Sequence, residues 1–287
     1  MAVHRNPTVR QRRLARMLKA LRYEARKTAA QAAEHLSCAE SKISRIESAY
    51  SGIRVVDLRL LLDFYGIPEK SSLRSQLEAL LRESQLRGWW DRFSDIISPS
   101  YAEYISLEAD ASHSRNVQAL LVPGLLQTED YTRAVLGVQN QSATLEQVEI
   151  LTKVRQERRS VLTRSDPLKM WVVLAASVLK HRIGGPAVMS AQLEHLVKAS
   201  QADNITIQIL PEESDIYASL FTPVTILSFP DAMETDVVYA DNLLSTLYIE
   251  DADEISHYED VFRRAVADSL SPEKSVALIE RTSKEMG

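Results

Sequence analysis

The chain has 287 residues, 45% of them hydrophobic and 25% charged, with only 8 Gly and 10 Pro. That composition has room for two domains and excludes a disordered or fibrous protein. The net charge of -5 conceals a division: residues 1–56 hold 12 Lys and Arg against 4 Asp and Glu, a net +8, and the remainder carries -13. Only the first segment has the local field to attract a polyanion.

Leu14, Met17, Leu18, Leu21 and Ala25 recur at helical spacing and predict a first helix over about 8–25, with Arg12, Arg16, Lys19, Tyr23 and Arg26 on its other side. Thr28 is placed to N-cap a second helix whose inward residues are Ala32, Ala33 and Leu36. Ser37 and Cys38 make a turn, and a third helix runs from Ala39 to about Glu47 with Ile43 and Ile46 inward. Beyond Gly52, Val55–Tyr65 reads as a fourth helix packed through Val56, Leu58, Leu61 and Leu62 and stopped at Gly66-Ile67-Pro68. Residues 1–68 are thus expected to form an all-α domain.

Residues 69–98 read as a connecting amphipathic helix, apolar at Leu73, Leu77, Leu80 and Leu81, and a linker beyond Gly88-Trp89-Trp90. Residues 99–287 read as an α+β domain. Helical patterns near 128–136 and 144–164 lead into an apolar run, Lys169–Ala175, with the character of a buried strand. A helix over Ala187–Ser200 precedes three or four strand-like runs, Asn204–Leu210, Pro223–Phe229, Asp236–Ala240 and Leu244–Glu250. Turn-prone residues separate these runs, so an antiparallel sheet is expected. Helices over 251–270 and 273–285 close the chain.

Two short helices behind a basic helix are what a protein needs to set one helix into the DNA major groove. Residues 18–47 resemble the Cro/CI-type (XRE) helix-turn-helix, through Leu21-Arg22, Ala32-Ala33-Glu34-His35-Leu36 and Ser41-Lys42-Ile43-Ser44-Arg45-Ile46-Glu47. The resemblance implies an ion pair between Arg22 and Glu47 that locks the first helix to the third. Steps of 100° from inward Ile43 turn Ser41, Ser44, Arg45 and Ser48 outward, with Glu40 and Lys42 at the exposed start. Glu40, Ser41, Ser44 and Arg45 are therefore the expected base-reading residues, and Thr28, Lys42, Ser48 and Arg54 the expected phosphate contacts. Two positions depart from the family pattern. Ala29 replaces a Gln at the start of the second helix, and Arg26 replaces a Gly in the preceding turn, where a positive φ would be strained or reshaped.

The C-terminal part extends the resemblance. Tyr104–Ala111, Leu121–Tyr131, Gly185–Leu196, Asn204–Pro211 and Asp236–Ala240 are similar to blocks of the actinobacterial, chiefly streptomycete, regulators of the WhiJ kind, which join a helix-turn-helix to a domain of unknown function. That resemblance implies a transcriptional regulator, often encoded beside a small acidic protein that antagonises it in an antitoxin-like arrangement. The expected partners are double-stranded DNA, a second copy of the chain and such a small acidic protein; the resemblance supplies no small-molecule effector.

For chemistry the chain is plain. It has no GxGxxG, GxxxxGK[ST] or GxSxG, and its six histidines form no HxxxH or HxH pair, so neither an enzyme nor a metal or other cofactor is expected. Asp231, Glu234 and Asp236 read as a solvated loop. The single Cys38 reads as an inert thiol and fits a reducing cytoplasm. No apolar run approaches the roughly 18 residues of a membrane span, and the Arg-rich start is unlike a signal peptide.

Overall fold

In the computed structural model, which describes residues 7–84, 88–139, 142–216, 223–230, 235–241 and 246–286, the chain divides into two units, Met1–Trp89 and Trp90–Gly287. Residues 244 and 245 of the last expected strand, and Asp231 and Glu234 of the expected loop, lie outside the described residues.

The first unit is five helices: α1 (Val9–Glu24), α2 (Ala29–His35), α3 (Glu40–Glu47), α4 (Val55–Phe64) and α5 (Ser72–Glu83). α1 and α2 each start with a capping box, in which Thr8 or Thr28 accepts from the N–H of Gln11 or Gln31 and the glutamine side chain accepts from the threonine N–H. One core joins all five, from Leu18 of α1, Ala32 and Ala33 of α2, Ile43 and Ile46 of α3 and Leu58, Leu61 and Leu62 of α4 to Leu77, Leu80 and Leu81 of α5. Two of the sequence expectations change. The helix expected to connect the domains is the fifth element of this core, because its leucines find a buried partner surface here. Val56 is exposed, while its neighbour Val55 packs against the core; Leu58, Leu61 and Leu62 are buried as expected.

The turns after α1, α2 and α3 place Arg26, Ser37 and Ala49 at φ of 54°, 51° and 60°, the left-handed region that favours glycine. The turn at Arg26 therefore keeps the family geometry without the family glycine. The N–H of Lys27 reaches the carbonyl of Arg22 at 3.0 Å and that of Cys38 reaches Ala33 at 2.9 Å, satisfying carbonyls that the helix ends would otherwise leave open. Cys38 itself is half-buried against the core.

The second unit is built on a six-stranded mixed sheet in the order β3-β2-β1-β4-β5-β6. The strands are β1 (His113–Gln118), β2 (Lys169–Ala175), β3 (Ile205–Leu210), β4 (Val224–Ser228), β5 (Val237–Asp241) and β6 (Thr246–Ile249). The α+β class is as expected, but the antiparallel sheet is only half of it. β1, β4, β5 and β6 pair antiparallel, whereas β1–β2 and β2–β3 are parallel. Parallel neighbours need long crossovers, which here carry α7 (Glu129–Gln139) and α8 (Leu145–Arg158), then α9 (Ala176–Lys180) and α10 (Pro186–Ala199). Val172, Val173, Leu174 and Ala175 of β2 are all fully buried, as befits a strand covered on both faces.

α11 (Ala252–Asp268) packs Ile255, Phe262 and Ala265 on the sheet face that carries Val117, Val173, Ile226 and Val238. On the opposite face α6 (Pro99–Asp110) stacks Tyr104 on Tyr239 of β5, ring centroids 4.1 Å apart. α12 (Pro272–Met286) lies along β3, where the Ser275 hydroxyl accepts from the N–H of Ile209. Before α10, Gly184 has φ +74° and a Cβ there would meet Val188 at 2.8 Å, so both the backbone and the packing require glycine. Between α6 and α8, Arg158 forks onto both carboxylate oxygens of Glu108 at 2.8 Å and donates to the hydroxyl of Tyr101 at 2.7 Å. The side chains of this pair are 5% and 2% exposed.

Two stability predictions follow from these contacts. Ala49→Gly relieves a left-handed alanine and is expected to stabilise the first unit by about 0.5–1 kcal/mol, read as a higher urea midpoint. Arg158→Ala leaves Glu108 buried and charged, at a cost of about 3–5 kcal/mol. Replacing the two together with apolar residues, as in Glu108→Leu with Arg158→Met, should recover most of that loss in the same urea titration.

Candidate nucleic-acid interface

α2 and α3 have seven and eight residues, too short to be stable alone, so tertiary contacts must hold them. Ile43 and Ile46 anchor α3 from below, 1% and 3% exposed. Its azimuth is set by Glu47, which accepts from Arg22 Nε at 2.6 Å and Nη2 at 2.9 Å, while Arg22 Nη1 donates to the carbonyl of Lys27 at 2.9 Å. One guanidinium therefore ties α1, the turn into α2 and α3. The carboxylate raises the pKa of Arg22 against the opposing effect of burial, so the cation is fixed. This is the ion pair that the family resemblance implied.

With α3 so held, Glu40, Ser41, Ser44 and Arg45 are all exposed on its outer side. Hydroxyl, carboxylate and guanidinium groups on one helix face can match the donors and acceptors of base edges. The four expected phosphate contacts are less free. Thr28 is exposed, but its oxygen accepts the N–H of Gln31 at 3.1 Å, leaving its O–H to donate outward. Ser48 donates its hydroxyl to the carbonyl of Ser44 at 2.6 Å. Lys42 and Arg54 both bind Asp57: Lys42 Nζ at 3.2 Å, Arg54 Nη2 at 2.8 Å and Nε at 3.2 Å.

Asp57 is the residue that sequence reasoning missed. It lies in the first turn of α4, three residues after Arg54, and is 6% exposed. Hydrogen bonds from Arg54 lower its pKa, burial opposes this, and Lys42 adds to the lowering. The carboxylate is therefore ionised and bridges the start of α4 to α3. The signal was the i, i+3 spacing of Arg54 and Asp57 at a helix start, which carries no information about Lys42. Two cations against one carboxylate leave a net +1 beside α3.

Among the described residues no three His, Cys, Asp or Glu side chains are grouped as metal ligands, and no helix is long and apolar enough to cross a membrane. Residues 13–72 match the family described as Helix-turn-helix domain, and residues 101–281 match the one described as Domain of unknown function (DUF5753). No curated protein and no solved structure matches the chain.

The role of the ion pair is open to a local measurement. Glu47→Ala should raise hydrogen exchange at the amides of Ile43 and Ile46 by about 100-fold, the equivalent of roughly 3 kcal/mol for a broken buried pair. Unchanged exchange at those amides would mean that the isoleucines alone hold α3.

Proposed function

The chain belongs to the DUF5753 family, and on that premise, with a helix-turn-helix domain ahead of it, we propose that it is a sequence-specific transcriptional repressor that binds an inverted repeat as a dimer. The observation that carries this reading is the outer face of α3, with Glu40, Ser41, Ser44 and Arg45 exposed while Arg22 and Glu47 hold the helix from behind. Arg45 forks onto guanine and Glu40 accepts from cytosine N4, each worth roughly 1–3 kcal/mol of discrimination. Thr28, Lys42, Ser48 and Arg54 meet the phosphates on either side and set the register without reading sequence. A single module of this size makes few base contacts, so two half-sites about one helical turn apart supply the remaining affinity.

The second unit then serves dimerisation and the response to an effector or partner, as a binding domain and not as an enzyme. In a regulator of the WhiJ kind that partner would be a small acidic protein, and the protein would act in the cytoplasm.

The decisive experiment is a footprint on DNA upstream of the protein's own gene, with random competitor present. A protected inverted repeat with centres about 34–36 Å apart, or a multiple of it, is the expected result. Arg45→Ala should lose about 1–3 kcal/mol on this site only and relax one base position, whereas Lys42→Ala should weaken specific and random DNA alike and reduce the salt slope by about 1. Equal losses on both DNAs for Arg45→Ala would remove its base-reading role. Light scattering that gives the mass of one chain, free and on DNA, would overturn the dimer. No protection at moderate salt would overturn the operator reading; co-purification of a small acidic protein would then support the antitoxin-like alternative, an interaction module whose DNA binding is autoregulatory.

A further inference from the structure

The end of α8 concentrates positive charge where little is neutralised. It carries Arg155, Arg158 and Arg159, and Glu108 is committed in full to Arg158. The acid closest in sequence, Glu157, pairs with Arg92. Arg155 donates to Gln127 Oε1 at 2.9 Å, and its Nε is buried with no partner. Arg159 donates to Gln156 Oε1 at 3.0 Å and lies 3.0 Å from His195 Nε2. No carboxylate among the described residues pairs with Arg155 or Arg159, although both are half-buried.

Their neighbours hold them as one constellation. Gln156 Nε2 donates to the carbonyl of Gln127 at 3.4 Å and to Thr132 Oγ1 at 3.2 Å, and Thr132 donates to Gln127 Oε1 at 3.2 Å. Gly124 borders it: a Cβ there would lie 3.4 Å from Arg158 Nη1 and 3.6 Å from Arg155 Cδ. Amide oxygens orient a guanidinium without neutralising it, so the field remains. It is felt at Tyr101, where burial raises the phenol pKa but the charges of Arg158 and Arg155, with hydrogen bonds from both, outweigh it and bring the value below normal. It is felt again at His195, which burial, Arg159 and Lys198 together keep neutral.

Other arginines of this unit meet carboxylates: Arg115 meets Asp236 and Glu259, Arg133 meets Glu129, Asp130 and Glu149, and Arg263 meets Asp260. Like charges at i, i+4 repel, and partial burial without a counter-charge adds a desolvation cost. We infer that Arg155 and Arg159 form a binding site for a small oxyanion, a ligand bearing a phosphate or carboxylate group, which supplies the missing charge. The planar forks, already oriented by Gln127 and Gln156, suit either group and need little ordering on binding. This site is independent of the DNA reading.

The test uses the full chain without DNA, in inorganic phosphate and separately in citrate, each against sodium chloride of equal ionic strength. With one of these anions at saturating concentration the thermal transition of the second unit should rise by about 2–4 °C, and calorimetry should give one site per chain. Arg155→Gln with Arg159→Gln should abolish the shift and weaken binding by at least about tenfold, the loss of one charge-assisted contact or more. Without anion, this double variant should melt at or above the parent temperature, since it removes two uncompensated charges. Which anion acts identifies the headgroup as phosphate or carboxylate. A shift no larger than in chloride with both anions, the same shift in the variant, or a variant that melts below the parent without anion would each overturn the proposal.

Discussion

Arg22 decides where α3 points. The apolar contacts of Ile43 and Ile46 hold the helix down but leave its rotation loosely specified, since hydrophobic contact is non-directional. A guanidinium fork bound at two oxygens of Glu47 has one geometry, and the third donor of Arg22, on the carbonyl of Lys27, fixes that geometry to the turn. Buried ion pairs add little net stability relative to apolar residues of similar volume. What this pair contributes is direction. Rotating an eight-residue helix by one residue would bury Ser44 in one direction or Arg45 in the other, so the phase set by Glu47 determines which side chains are available outside.

The cations beside α3 are under a different constraint. Lys42 and Arg54 share the single carboxylate of Asp57, which is itself nearly inaccessible to water. This arrangement holds two long side chains that would otherwise be mobile, and it lowers the field they present. On the proposed reading, a phosphate would not meet bare cations; it would share or replace Asp57 as their partner, with a reduced ordering cost. The affinity gained would then be a difference between two ion-pairing states, smaller than two phosphate contacts in isolation would supply.

The first unit was legible because its signals are local. Helical periodicity marked Leu14, Leu18 and Leu21, Thr28 announced the start of α2, and the two isoleucines gave the phase of α3. The errors came where burial depended on a distant partner. Leu77, Leu80 and Leu81 showed an amphipathic helix but not that it belongs to the core of the first four; Val56 is a misreading of a legible pattern, since the i, i+3, i+7 spacing to Leu58 and Leu62 belongs to Val55. In the second unit β1 gave no signal, because His-Ser-Arg-Asn-Val-Gln carries almost no apolar pattern although the strand lies inside the sheet. Its polar groups are satisfied by neighbours: Asn116 donates to Ser114 of the same strand and accepts from Thr225 of β4, and Arg115 reaches Ser228, Asp236 and, on α11, Glu259. Asp236 thus left the expected solvated loop to pair with β1. Without β1 the apolar β2 had no parallel neighbour before it, and an antiparallel sheet was the natural reading of what remained.

Both units put the same electrostatic rule to different use. A partly buried arginine matched by a carboxylate, such as Arg22 or Arg158, is structural, because nothing is gained by offering it another anion. A cation that shares its carboxylate, as Lys42 and Arg54 do, can exchange partners at modest cost, which suits the polyanion-binding role proposed for it. An arginine met by uncharged groups and no carboxylate, as Arg155 is by Gln127 and Arg159 by Gln156 and His195, is oriented but not neutralised. Its field persists until an anion arrives, and no protein partner has to be displaced. The degree of neutralisation, more than the number of basic residues, separates framework from binding surface in this chain. It is also the property that sequence conceals best, since the nearest acid in the chain, Glu157, is bound to Arg92.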